Sequence, residues 1–195
     1  MVLELDHLKG KKHLQQVVLL QLIAQLNNEF YLGDRRVPKI LLVDEAWEAF
    51  EDPMVAKFLE GAFRRMRKAA AAPVVVTQSL RDLYNSASGE AIANNAANVI
   101  VLRQNGEAIE ALKESGRFNI GDYGYEMLKS LHTEPGQYSE VLFRSGTAWG
   151  VGRFVVDRFS QLLYSTMASE VAALRALRDS GMTGAEAIKH YIAVE

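Results

Sequence analysis

Short apolar runs bounded by helix breakers alternate along the chain with stretches in which apolar residues step at helical spacing. Val2, Leu3 and Leu5 predict a first strand ending at Asp6. Leu14, Val17, Val18, Leu22 and Leu26, with Gln21 and Gln25 interleaved, predict a helix from Lys12 to Tyr31, with Gly33 as its C-cap. Pro38 breaks the chain, and Lys39–Val43 is too short and too uniformly apolar for a helix, so it reads as a strand buried on both faces. Strand, helix and strand in this order predict a parallel pair with a right-handed crossover. Asp52 and Pro53 have the chemistry of an N-cap and a first helical position, ahead of an apolar face of Phe58, Leu59, Ala62, Phe63 and Met66. After Pro73, Val74–Thr77 is a second buried strand. Residues 81–89 read as loop and Glu90–Ala97 as a short helix. Val99–Leu102 reads as a further buried strand tipped by Arg103.

Beyond it, Glu107–Glu114 and a segment capped by Asp122 are helical, and Glu140–Arg144 with Trp149–Val156 predict a β-hairpin. From Asp157 the pattern is helical, with Leu162, Leu163, Met167, Val171, Leu174 and Leu177 in one stripe. Gly181 interrupts it, and Thr183 with Glu186 has capping-box spacing. The expected fold is α/β, with a parallel sheet, an added hairpin and C-terminal helices. Residues 1–157 would form the core and 158–195 a helical extension.

Composition narrows the classes. The 195 residues are 49% hydrophobic and 24% charged, an ordinary globular balance. A net charge of −2 gives no bulk attraction for nucleic acid, so any such contact must be a local patch. The absence of cysteine removes disulfides and thiolate metal sites. No run is long and apolar enough to span a bilayer, and Glu4 and Asp6 stand where a signal peptide would be basic. His7, His13, His132 and His190 share no ligand spacing, which argues against a metal enzyme.

The chemistry lies at strand ends, where open α/β sheets bind ligands. Asp44 and Glu45 close the Lys39–Val43 strand in the Walker B pattern. There an Asp can hold Mg²⁺ through its waters, and a Glu can orient a water for attack on a γ-phosphate. The same two acids could equally start a helix, where the dipole favours them. Gln78 tips the next strand; its amide can donate to a phosphate oxygen and accept from a water, or it can cap the following helix. Arg64, Arg65, Arg67 and Lys68 crowd a helix end, either as dipole-favoured cations or as a phosphate- or DNA-binding patch.

The combination of Leu3-Glu4-Leu5-Asp6, Val17–Ile23 and Leu41-Leu42-Val43-Asp44-Glu45-Ala46-Trp47 resembles the TraC-like conjugative-transfer ATPases, the large hexameric ATPases of bacterial type IV secretion systems. Val76-Thr77-Gln78-Ser79 looks like that family's third motif. Arg144-Ser145-Gly146 and Gly152–Asp157 look like its closing ones. The resemblance implies a RecA-like P-loop ATPase domain at the cytoplasmic face of the bacterial inner membrane. Using ATP and Mg²⁺, it would drive pilus assembly and substrate transfer in contact with secretion-channel components. By this resemblance Asp44 would organise Mg²⁺, Glu45 would polarise the attacking water, and Gln78 would read the γ-phosphate. Arg144 or Arg153 would reach a neighbouring subunit's nucleotide.

One family feature is missing. No Gly-rich loop ending in Lys and Ser or Thr occurs; Gly10-Lys11-Lys12 lacks both the upstream glycine and the hydroxyl. The sequence therefore reads as the C-terminal part of a motor domain, expected on its own neither to bind ATP tightly nor to hydrolyse it. The absent strand would lie between Val74–Thr77 and Val99–Leu102. Its loss predicts that those strands close together or that another chain covers the gap, with self-association favoured. The rival readings are a non-catalytic interaction or scaffold module and a DNA-pumping coupling-type ATPase, the latter needing a basic channel.

Overall fold

The computed structural model describes residues 2–4 and 10–194. Residues 2–4 form no strand, and the rest of the expected first strand, with Asp6, lies outside the described residues. Among the described residues β1 (Lys39–Val43) has β2 (Ala71–Val75) as its parallel partner, not a strand from the N-terminus. Helices α2 (Ala46–Glu51) and α3 (Pro53–Arg65) connect the two.

α1 (Lys12–Asn27) runs on into a π-helical turn, Asn28–Leu32, and stops at Gly33. Gly33 is extended (φ −72°, ψ 174°) and not left-handed as a C-cap glycine would be. It is needed for a close approach, because a Cβ there would sit 2.3 Å from the Glu29 carbonyl oxygen. The expected stripe of α1 holds in part: Leu26 packs on the core beside Phe30, and Val18 and Leu22 are half-buried, while Leu14 and Val17 face out. Apolar residues lie all round this helix, so which of them are covered is decided by its neighbours.

α3 begins as its sequence dictates. The Asp52 carboxylate accepts from the Met54 and Val55 N–H groups at 2.8 and 3.2 Å, and Pro53 occupies the first turn. Its Ala62, followed by Met66, joins Phe30 and Ala71 in a small core under β1 and β2. The other face of this two-stranded sheet is uncovered: Ile40 is 72% and Leu42 61% exposed. The expectation of strands buried on both faces is thus corrected to strands covered on one. β2 also starts earlier than expected and takes in Pro73. The Lys39 N–H bonds the Ala70 carbonyl and the Val76 N–H bonds the Val43 carbonyl, so even-numbered β2 residues face β1. Pro73 therefore turns its missing donor to the open edge, where proline is tolerated.

The segment expected as loop after β2 is helical. α4 (Leu80–Tyr84) opens with a capping box of Ser79 and Asp82, and α5 (Ala87–Asn95) follows. β3 (Asn98–Val101) then pairs antiparallel with β5 (Tyr138–Ser145), placing it in a second sheet and not alongside β2. β5 also pairs with β4 (Thr133–Glu134) and with β6 (Ala148–Phe154), the expected hairpin. α6 (Gly106–Ser115) and α7 (Gly121–Ser130) supply Ile109, Leu112, Tyr125 and Leu128 to the larger core, which Val101 and Leu142 complete from the sheet. β2 and β3 do not close together: they belong to separate sheets. α8 (Arg158–Leu163), α9 (Ala168–Asp179) and α10 (Gly184–Val194) close the chain as three helices instead of one long run and a short one.

Candidate functional site

The β1–β2 ladder runs in register from Lys39 opposite Ala71 to Val43 opposite Val75, so both strands end at one rim. The ladder continues past the strands: the Val76 N–H donates to the Val43 carbonyl and the Ala46 N–H to the Val76 carbonyl, each at 2.9 Å. Ala46 is fully buried there. Asp44, Glu45 and Gln78, all exposed, share this edge.

Glu45 has a left-handed backbone, φ 50°, a conformation that costs a side-chain-bearing residue roughly 1–2 kcal/mol. The turn carries its carboxylate across to β2. The Gln78 Nε2 donates to Glu45 Oε1 and Oε2 at 3.0 and 3.1 Å, and the Trp47 indole N–H donates to Oε2 at 2.6 Å. The Asp44 Oδ1 accepts from the Glu45 N–H at 2.9 Å.

A third strand end joins the rim through Gln104, just past β3. Its Oε1 accepts from the Leu80 N–H at 3.2 Å, while its Nε2 reaches the Leu102 and Arg103 carbonyls. Gln104 thus ties β3's end to the segment that follows Gln78. Gln104 was not singled out from the sequence, and Trp47 entered it only as the last residue of the Leu41–Trp47 motif, with no role given. A glutamine after a strand carries no distinctive signal.

The two candidate arginines lie in the other sheet. Arg144 faces Val99, near the start of β3 and so at the opposite end from the rim. Its Nη2 donates to the Ala93 and Ala96 carbonyls at 3.3 and 3.1 Å, its guanidinium lies 5.5 Å from the Trp149 ring centroid, and its Nε is buried without a partner. Arg153, opposite Glu140 on β6, is more open. Its Nε lies 3.3 Å from Glu140 Oε1 and its guanidinium stacks 4.2 Å from the Tyr138 ring.

In the basic cluster, Arg64 pairs with Glu60 at 2.7 Å, and Arg65 bonds the Gly61 carbonyl and lies over Tyr31. Half of the cluster is therefore engaged by its own surroundings.

Among the described residues no three His, Asp or Glu side chains gather as a metal cage. The single exposed carboxylate of Asp44 fits Mg²⁺, which keeps its waters and takes few protein ligands, and does not fit a metal held by protein alone. Open pockets of 520 and 380 Å³ lie elsewhere, one between α1 and the start of α3, the other between the hairpin and α8.

Comparison with known proteins gives this rim a context. The TraG P-loop domain family matches residues 1–195, the whole sequence. The chain belongs to the TraG P-loop domain family. As a member it is 25% identical to protein TraC of Escherichia coli (strain K12) over 201 aligned positions, covering 96% of this chain and 22% of TraC. It also superposes on VirB4 of Thermoanaerobacter pseudethanolicus with a TM-score of 0.53 and 25% identity, over 66% of this chain and 34% of VirB4. The resemblance to the TraC-like group and the α/β fold read from the residues both hold. This TraG P-loop family chain spans well under half the length of either relative. None of its described helices is long and apolar enough to cross a membrane.

Proposed function

We propose that this chain supplies the hydrolytic rim of a type IV secretion ATPase. In this reading Asp44 holds Mg²⁺ through its waters and Glu45 orients the attacking water. Gln78 senses the γ-phosphate. ATP hydrolysis would drive conjugative pilus assembly and substrate transfer by a homo-oligomer, hexameric as the resemblance implies. That assembly would sit at the cytoplasmic side of the bacterial inner membrane against secretion-channel components. The observation that carries the reading is the Gln78–Glu45 contact at 3.0 Å, which joins a strand-end acid to the amide on the neighbouring parallel strand. The phosphate loop comes from outside these residues. Arg153, with a side chain 59% exposed, suits a role in a neighbouring subunit better than Arg144, whose guanidinium is spent on two carbonyls.

The chain alone is expected to bind ATP weakly; micromolar binding in a calorimeter contradicts that. With the phosphate-loop residues joined to it, ATP hydrolysis is expected to be lost in Glu45→Gln, and hydrolysis that survives the change removes the catalytic assignment. The uncovered apolar face of β1 and β2 favours a second reading, a non-catalytic interaction module. An absence of hydrolysis in the unsubstituted, phosphate-loop-containing protein would select it.

A further inference from the structure

Among the described residues Gln78 and Trp47 both donate to Glu45, and they are not equivalent. Gln78 lies just past β2, and its amide can turn to offer either a donor or an acceptor. A γ-phosphate oxygen arriving at this rim competes for the Gln78 N–H that now reaches Glu45 at 3.0 Å. Trp47 is different. Its indole carries one donor and no acceptor, so it can hold a carboxylate and has no alternative role to turn to. It lies in the first turn of α2, two residues beyond the left-handed Glu45, and donates to Oε2 at 2.6 Å. That bond is shorter than either of Gln78's. The left-handed residue makes the arrangement possible. The chain reverses at Glu45, Ala46 is buried against the end of β2, and the indole edge is brought back to the acid's own side chain.

Packing accounts for Trp47 only in part. The residue is 37% exposed and belongs to neither buried core. A ring kept for its apolar surface alone would have no need to aim its N–H at a carboxylate.

We infer that Trp47 is a positioning residue for Glu45: its indole N–H keeps the carboxylate aimed at the rim when Gln78 is drawn to a phosphate. The inference rests on the water-orienting role proposed for Glu45. It adds that, of these two holds on Glu45, Gln78's is exchangeable and Trp47's is permanent.

The test has two arms. In the chain as it stands, the two tryptophans give two indole N–H resonances in a nitrogen–proton correlation spectrum, and Trp149 is the internal reference. The Trp47 signal is expected downfield, moving upfield in Glu45→Ala while Trp149 stays fixed. A Trp47 signal at the solvent-exposed position and indifferent to Glu45→Ala overturns the inference. In the phosphate-loop-containing protein, Trp47→Phe keeps an aromatic ring, smaller than the indole, and removes the donor, with an unshifted Trp149 resonance reporting an intact fold. The expected result is a fall of about tenfold in kcat with KM for ATP unchanged, as for loss of a bond to a charged group that matters beyond ground-state binding. If Glu45→Gln abolishes hydrolysis and Trp47→Phe leaves kcat intact, the positioning role is wrong and the catalytic reading stands. If Glu45→Gln leaves hydrolysis intact, both fall.

Discussion

Arg144 and Arg153 are alike in the sequence, each next to a glycine or a small polar residue on a hairpin strand, and the structure separates them. Arg144 donates to the carbonyls that α5 leaves at its end, those of Ala93 and Ala96, and lies against Trp149. Its removal leaves part-buried acceptors unmet, and a buried one costs about 1–3 kcal/mol. Arg144→Ala is accordingly expected to lower unfolding free energy by about that amount in urea titration. Arg153 keeps its own side chain 59% exposed, and Glu140, its partner, is also held by His132, so Arg153→Ala is expected to shift the urea midpoint less than Arg144→Ala does. Equal midpoint shifts in the two variants would refute the distinction. Asp44, Glu45 and Gln78 were legible as residues because strand ends carry their polar groups in a recognisable order. Gln104 and Trp47 were not, since their importance lies in one hydrogen bond each to a group that only the fold brings near.

Among the elements, helix starts were the most readable features. Asp52 and Thr183 both cap the helices they were expected to cap, because a cap is a contact between residues two or three apart. At α10 the box is reciprocal: the Thr183 N–H and hydroxyl donate to the Glu186 carboxylate, and the Glu186 N–H donates to the Thr183 hydroxyl. The Thr183 backbone bond, then its hydroxyl, hold the Glu186 carboxyl below the usual carboxylate range. Asp157 at the start of α8 is likewise lowered, by the Ser160 hydroxyl and then by the Ser160 N–H. A carboxyl whose pKa is depressed in the folded state stabilises it above the unfolded pKa, and that contribution fades as pH falls through the folded one. The starts of α8 and α10 are therefore expected to loosen as pH drops below about 4. Faster amide exchange at Ser160 and Thr183, absent from α3's interior, would report it; uniform protection down to low pH would contradict it. Strand extent was less legible. β2 begins before Pro73 because proline's missing donor matters only on a paired edge, and the sequence does not say which edge is paired.

For the whole molecule the decisive feature is the division into two sheets, β1–β2 and β3–β5 with β4 and β6. Each is covered on one face by its own core, and each leaves apolar side chains outside: Ile40 and Leu42 on one, Ile100 and Phe143 on the other. Exposed apolar surface of this kind drives association, so the chain is expected to sediment and scatter light as an oligomer. A monodisperse monomer at tens of micromolar, as order-of-magnitude conditions for weak association, would refute this. The sequence by itself determined the α/β class, the caps at Asp52 and Thr183 though not those expected at Gly33 and Asp122, the hairpin, and the order of acids and amide at the strand ends. These follow from local rules of periodicity, backbone restriction and short-range hydrogen bonding. Tertiary structure alone decided that β3 pairs with β5 and not with β2, which part of the α1 stripe is buried, that Arg144 is turned inward, and that Trp47 grips Glu45. Each depends on which surfaces meet in three dimensions, and an apolar residue carries the same label whether a neighbouring layer covers it or not.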